Sequence, residues 1–134
     1  MPPPIGTAVT NKVASKAIPS TLDISPKVES EVVMVPRNYT DNLRELICKT
    51  KAGVIGNYTD CSVSTNVIGT FKPNDKANPT IGKKRMLEKV KETKLEVICN
   101  VENVKEVLEI IKKNHPYETP GIDIIPLMDE SYFN

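Results

Sequence analysis

The chain holds a single histidine, no tryptophan and three cysteines, none of them in a C-x-x-C pair. Each scarcity excludes something. One imidazole and widely spaced thiols cannot assemble a zinc cage of the usual ligand spacing within one chain. An odd cysteine count rules out complete internal pairing, so reduced thiols in a cytosolic setting are the simplest expectation. No apolar run approaches the ~20 residues needed to cross a bilayer as a helix. The start, MPPPIGTAVT, lacks a charged region followed by an apolar one, which argues against a secretory signal. Charge of one sign is also missing: 18 basic against 17 acidic residues leave a net charge of +1, giving no electrostatic reason to expect nucleic acid or an anionic membrane as partner.

What is present begins with an N-terminal stretch, residues 1–29, rich in Pro, Ser, Thr and Lys and without an aromatic residue. Such a composition cannot offset its ordering entropy and predicts a flexible extension. Lys12 and Lys16 with no acidic residue before Asp23 leave an organellar transit segment as the alternative to a cytoplasmic location, although the stretch has no arginine. Residues 30–129 then read as one domain and 130–134 as a short tail.

Within that domain EVVMVPR, from Glu31, is a β-branched run stopped by Pro36 and predicts a strand. NYTDNLRELICKTKAG places Leu43, Leu46, Ile47 and Thr50 at helical spacing, with Asn38, Thr40 and Asp41 suited to its start and Gly53 to its end. CSVSTNVIGTFKP alternates at period two through Cys61, Val63, Thr65 and Val67, a second strand. NDKANPTIGKK is a turn-rich excursion, and RMLEKVKET reads either as a short helical turn or as an extended arm. KLEVICNV is a third strand; Asn103 with Glu106 forms an expected capping box for a second helix carrying Val104, Val107, Leu108 and Ile111; GIDIIPL is a fourth strand. The order β-α-β-β-α-β is the split βαβ plan of ferredoxin-like α+β folds: a four-stranded antiparallel sheet with two helices on one face. Its other face needs a cover, and oligomerisation is the economical one.

The residues with chemistry to offer cluster in HPYETPG. His115 follows the second helix, where the negative dipole end favours a protonated imidazole, and Pro116 forces it out of helical geometry. The two prolines make a stiff turn presenting Tyr117 and Glu118, suited to a ligand or a subunit contact. AGVIGNYTDCS has glycines that let backbone N–H groups approach an anion, but neither phosphate-loop spacing; turn glycines are the plainer reading. Cys61 is either a reactive thiol or a small buried apolar group. Lys83, Lys84, Arg85, Lys89, Lys91 and Lys94, interleaved with Glu88, Glu92 and Glu96, read as a solvated ion-pair surface.

Three separated motifs, GVIGNYTDCSVSTNVIGTFKPNDKANPTIGK, LEKVKETKLEVIC and HPYETPGIDIIPL, together resemble the PII/CutA-like domain found in YqfO-type members of the Nif-three-like family and as short free-standing proteins. The last motif is similar to the His-Pro-Tyr-Glu-x-Pro turn of CutA. The resemblance runs from Val32 to Leu127. It implies a homotrimer with clefts between subunits, placing Asn57, Tyr58 and Cys61 with His115, Tyr117 and Glu118 near a cleft. Coordination by His115 and Glu118 is then expected to hold a metal ion, and a soft donor such as Cys61 favours copper or zinc over magnesium. Full-length family members resemble dinuclear-metal hydrolases; this chain is read as the short form without those halves, so their activity is not expected to transfer. The functional expectation is a non-catalytic regulatory or binding module that takes a metal ion, a small ligand or a protein partner. The alternatives are a small hydrolase using His115 as base and Cys61 as nucleophile, or a structural interaction scaffold.

Overall fold

The computed structural model describes residues 27–134. The expected N-terminal extension therefore lies outside the described residues up to residue 26, and Val28 and Glu29 already belong to a strand. The elements are β1 (Val28–Pro36), α1 (Thr40–Cys48), β2 (Val63–Phe71), β3 (Glu88–Asn100), α2 (Val104–Asn114) and β4 (Ile122–Leu127). Short 3-10 turns at Arg37–Tyr39 and Val101–Asn103 lead into the two helices, and a third, Glu130–Phe133, follows β4. The four strands form one antiparallel sheet in the order β2-β3-β1-β4. This is the α+β, ferredoxin-like arrangement expected from the sequence.

Register assigns each side chain a face. Val33 pairs with Leu95 and Val35 with Thr93, so these positions look the same way as Val97 and Cys99. They pack against Leu43 and Ile47 of α1 and Val107 and Ile111 of α2, forming one core beneath both helices. Each such side chain gains roughly 1.5–3 kcal/mol from leaving water. The opposite face carries Met34, Glu92, Lys94, Glu96 and Ile98 beside Val63, Thr65 and Val67. Among the described residues no helix covers it: Val63 is 59% exposed, and Ile125 on β4 is 45% exposed.

Of the two readings of RMLEKVKET, the extended arm is the one the structure takes: from Glu88 it lengthens the third strand to 13 residues, because its residues pair with β2 down to Phe71. Two local readings are corrected. The Asn103–Glu106 capping box does not form, since the Asn103 side chain makes no cap hydrogen bond and the 3-10 turn feeds the chain into α2 instead. Gly53, expected to end α1, lies beyond it: the helix stops at Cys48 with Lys49 as its cap, and Gly53 takes φ +72° in the following loop, its N–H reaching Ile98 O at 2.7 Å where an added Cβ would crowd Cys61 O.

One core position breaks the apolar pattern. Glu31 pairs with Val97 on the helix side, is 1% exposed, and neither carboxylate oxygen has a hydrogen-bond partner. Burial first, and the neighbouring Glu29, raise its pKa from 4.5 to about 7. The same environment pushes the Cys99 thiol up to about 12, burial leading and Glu31 next, so that thiol stays protonated. The neutral acid is the form the fold accepts. Its stabilising proton is fully held below 4.5 and is lost as pH rises through about 7. Compared by urea denaturation, Glu31→Gln and the natural chain should differ little near pH 4.5. By pH 8 the variant should gain on the order of 3 kcal/mol over the natural chain, at about 1.4 kcal/mol per pKa unit. An unchanged gap across that range would show that the carboxylate is solvated in the fold.

Candidate functional site

His115 ends α2 with extended dihedrals, φ −77° and ψ 138°, as the following proline demands. Its own N–H keeps the last helical bond, to Ile111 O at 2.8 Å. The ring is 8% exposed and both nitrogens are engaged by backbone: Nε2 lies 2.7 Å from Met34 O, and Nδ1 accepts the Tyr117 N–H at 3.0 Å. Because Nδ1 must accept, the proton sits on Nε2 and is donated to Met34. Burial pulls the pKa below the ordinary 6.5, outweighing the raising effects of the Met34 bond and of Glu92. The protonated cap expected from the helix dipole is thus replaced by a neutral imidazole in one tautomer, whose lone pair is already in use. Acting as a base or as a metal ligand would require breaking one of these two bonds.

The ring orients Tyr117. The two rings lie 5.0 Å apart, and Tyr117 meets Phe71 edge-on at 5.9 Å. Its hydroxyl donates to Glu92 Oε2 at 2.5 Å; burial, then that bond, push the tyrosine pKa up. Glu92 is only 5% exposed and lies flat across Gly69, where any Cβ would overlap its Oε1. Glycine at 69 is therefore what lets the carboxylate lie down on β2. Arg37 approaches from the turn after β1, but its Nη2 bonds the carbonyls of Val67 (3.1 Å) and Glu92 (3.3 Å), not the carboxylate.

Above this group runs the arm between β2 and β3. It folds back on its own chain: Asn78 N–H donates to Glu118 Oε1 at 3.0 Å, Thr80 Oγ1 to Pro116 O at 2.7 Å, and Arg85 pairs with Asp75 at 3.0 Å. Between arm, turn and sheet opens a cleft of about 520 Å³, walled by Met34, Phe71, Pro79, Ile81 and Tyr117 with Glu92 in its lining.

The six residues singled out by sequence divide between two places. Tyr117 and Glu118 line this cleft, and His115 stands behind Tyr117 as its support. Cys61 lines a different hollow, of about 290 Å³, with Ser30, Ile55, Val63, Glu96 and Ile98. Asn57 and Tyr58 sit beside it in a tight turn closed by paired Ile55 and Tyr58 backbone bonds, both 2.9 Å, with Tyr58 75% exposed. Neither hollow contains residues of both groups. Among the described residues, no three His, Cys, Asp or Glu side chains gather into a set able to hold a metal ion. Glu92 and Arg37 escaped the sequence reading. Extending the period-two pattern back to Glu88 would have removed Glu92 from the solvated charge surface.

No family model matches the chain. It is 43% identical over 99 residues to the GTP cyclohydrolase 1 type 2 homolog of Halalkalibacterium halodurans, covering 74% of this chain and 27% of that protein. A Bacillus cereus protein related to NIF3 superposes with a TM-score of 0.68 at 29% identity, over 80% of this chain and 27% of that one. The chain is a CutA-like domain of the Nif-three-like family. It spans about a quarter of the length of the relatives it matches. The divalent ion tolerance protein CutA1 of Ehrlichia chaffeensis shares the fold, with a TM-score of 0.58 at 13% identity over 78% of this chain and 84% of that one. Among the described residues, no helix is long and apolar enough to cross a membrane.

In this CutA-like domain His115→Ala should cost about 1–3 kcal/mol, the range for leaving a buried backbone group unpaired. A lowered imidazole pKa stabilises above 6.5 and loses that contribution as pH falls through the folded value, so the cost should be larger at pH 8 than at pH 5. Denaturant midpoints at both pH values check the sign, and imidazole nitrogen NMR should report the Nε2–H tautomer.

Proposed function

We propose that this CutA-like domain is a non-catalytic binding module that works as a homotrimer, with a ligand cleft near each subunit boundary. The observation that carries the reading is the uncovered sheet face, where Val63, Val67, Ile98 and Ile125 present apolar side chains among Lys94 and Glu96. A sheet with one face under helices and an apolar opposite face is stabilised by packing that face on copies of itself. Such packing brings the Asn57, Tyr58 and Cys61 turn of one subunit toward the Tyr117 and Glu118 cleft of the next, joining the two groups that a single chain keeps apart. His115 serves the cleft by positioning Tyr117, and ligand contact falls to Tyr117 and Glu118.

The non-catalytic part of the proposal rests on the imidazole. A hydrolytic pair needs its base within about 3 Å of the nucleophile with a lone pair to spare. The His115 lone pair is taken by Tyr117 N–H, and Cys61 lines the other hollow. The name carried by the relatives describes proteins of which this chain matches about a quarter, and their activity is not proposed for this chain.

Light scattering on the purified chain at micromolar concentration should give three times the 14.8 kDa chain mass. Val63→Lys or Ile125→Lys on the uncovered face should lower that mass to the monomer's, whereas Ile68→Lys, also exposed but on the helix side of β2, should not. A natural chain that stays monomeric would remove the assembly and the shared cleft together.

A further inference from the structure

Glu92 is the nearly buried carboxylate that lines the cleft. Its Oε2 receives the Tyr117 hydroxyl, while Oε1 receives no hydrogen bond from the described residues. Nor does it have an ion-pair partner there; the two pairs formed are Arg44–Asp41 and Arg85–Asp75. Arg37, the cation that reaches this part of the sheet, gives its Nη2 to carbonyl oxygens. A carboxylate 5% exposed without a cation is costly to keep, and that cost falls when a cation is brought to it. Unlike Glu31, Glu92 lines an open cleft through which such a cation can arrive.

We propose that the cleft beneath the arm is a binding site for a small organic cation, an amine or amidine on an apolar body, anchored by the Glu92 carboxylate. The walls select the body: Met34, Phe71, Pro79, Ile81 and Tyr117 offer aliphatic and aromatic surface and few donors. The rings of Phe71 and Tyr117 add the attraction of aromatic faces for cations. Anions are disfavoured, because a negative group brought against Glu92 meets like-charge repulsion that water screens only partly at a nearly buried carboxylate. Lys72, the one basic residue in the lining, is exposed to solvent. A hard metal ion is also a poor fit, since it requires about six oxygen ligands. Here Glu118 Oε1 already accepts Asn78 N–H, and Glu92 has one oxygen to give.

The site deepens the binding-module reading and rests on it for its purpose, but one chain builds the cleft, so the two can fail separately. The experiment is amide NMR of the full chain titrated with 2-phenylethylamine, with 2-phenylethanol as its neutral isostere and 3-phenylpropionate as the anion. The amine should shift the Gly69, Phe71 and Tyr117 amides and bind at least about tenfold more tightly than the alcohol, with the anion weakest. Glu92→Gln should abolish the preference for amine over alcohol, and Glu109→Gln, at an exposed acid outside the cleft lining, should retain it. Equal binding of amine and alcohol by the natural chain overturns the proposal without recourse to any variant, as does a preference that survives Glu92→Gln. A trimer indifferent to the amine overturns this inference alone; a monomer that binds it overturns only the assembly.

Discussion

The imidazole of His115 is the joint on which the functional half of the molecule turns. By donating to Met34 O and accepting from Tyr117 N–H, it ties the end of α2 to the second strand from the sheet's β4 edge and fixes the direction of the next two residues. Tyr117 is thereby aimed at Glu92, and Glu92 is laid along Gly69. Three strands and the turn are linked through four side-chain positions. Pro116 contributes by holding His115 in extended geometry, so the ring points back at the sheet instead of continuing along the helix axis.

Much of this architecture was legible because the period of the apolar residues reports directly on burial. Val33, Val35, Leu95 and Val97 alternate as strands must, and Leu43, Ile47, Val107 and Ile111 recur at helical spacing; all eight lie in the core. Where charged residues dominate, the same signal fades. Glu88 to Thr93 contains one apolar residue, Val90, and its extended form depends on pairing with β2, a partner far away in sequence. The capping box failed for a related reason: a side-chain cap competes with a 3-10 lead-in, and tertiary packing decides between them.

The candidate site was half legible. A stiff turn holding His, Tyr and Glu is visible as residue types, and two of its members do line the cleft. Which group would be structural was not visible, because that depends on Met34 O, a backbone atom with no signature in the side-chain pattern. Glu31 shows the converse. Its parity with Val33 and Val35 already placed a carboxylate under the helices, yet nothing local revealed that no donor would meet it.

The contact between Glu92 and Gly69 binds two positions 23 residues apart into a single heritable choice. A methyl at 69 evicts the carboxylate, and a shorter residue at 92 frees 69 to be anything a strand tolerates. An acid at 92 lies along β2 only while 69 lacks a Cβ, so a change at either position reshapes the stretch of cleft wall that both residues form.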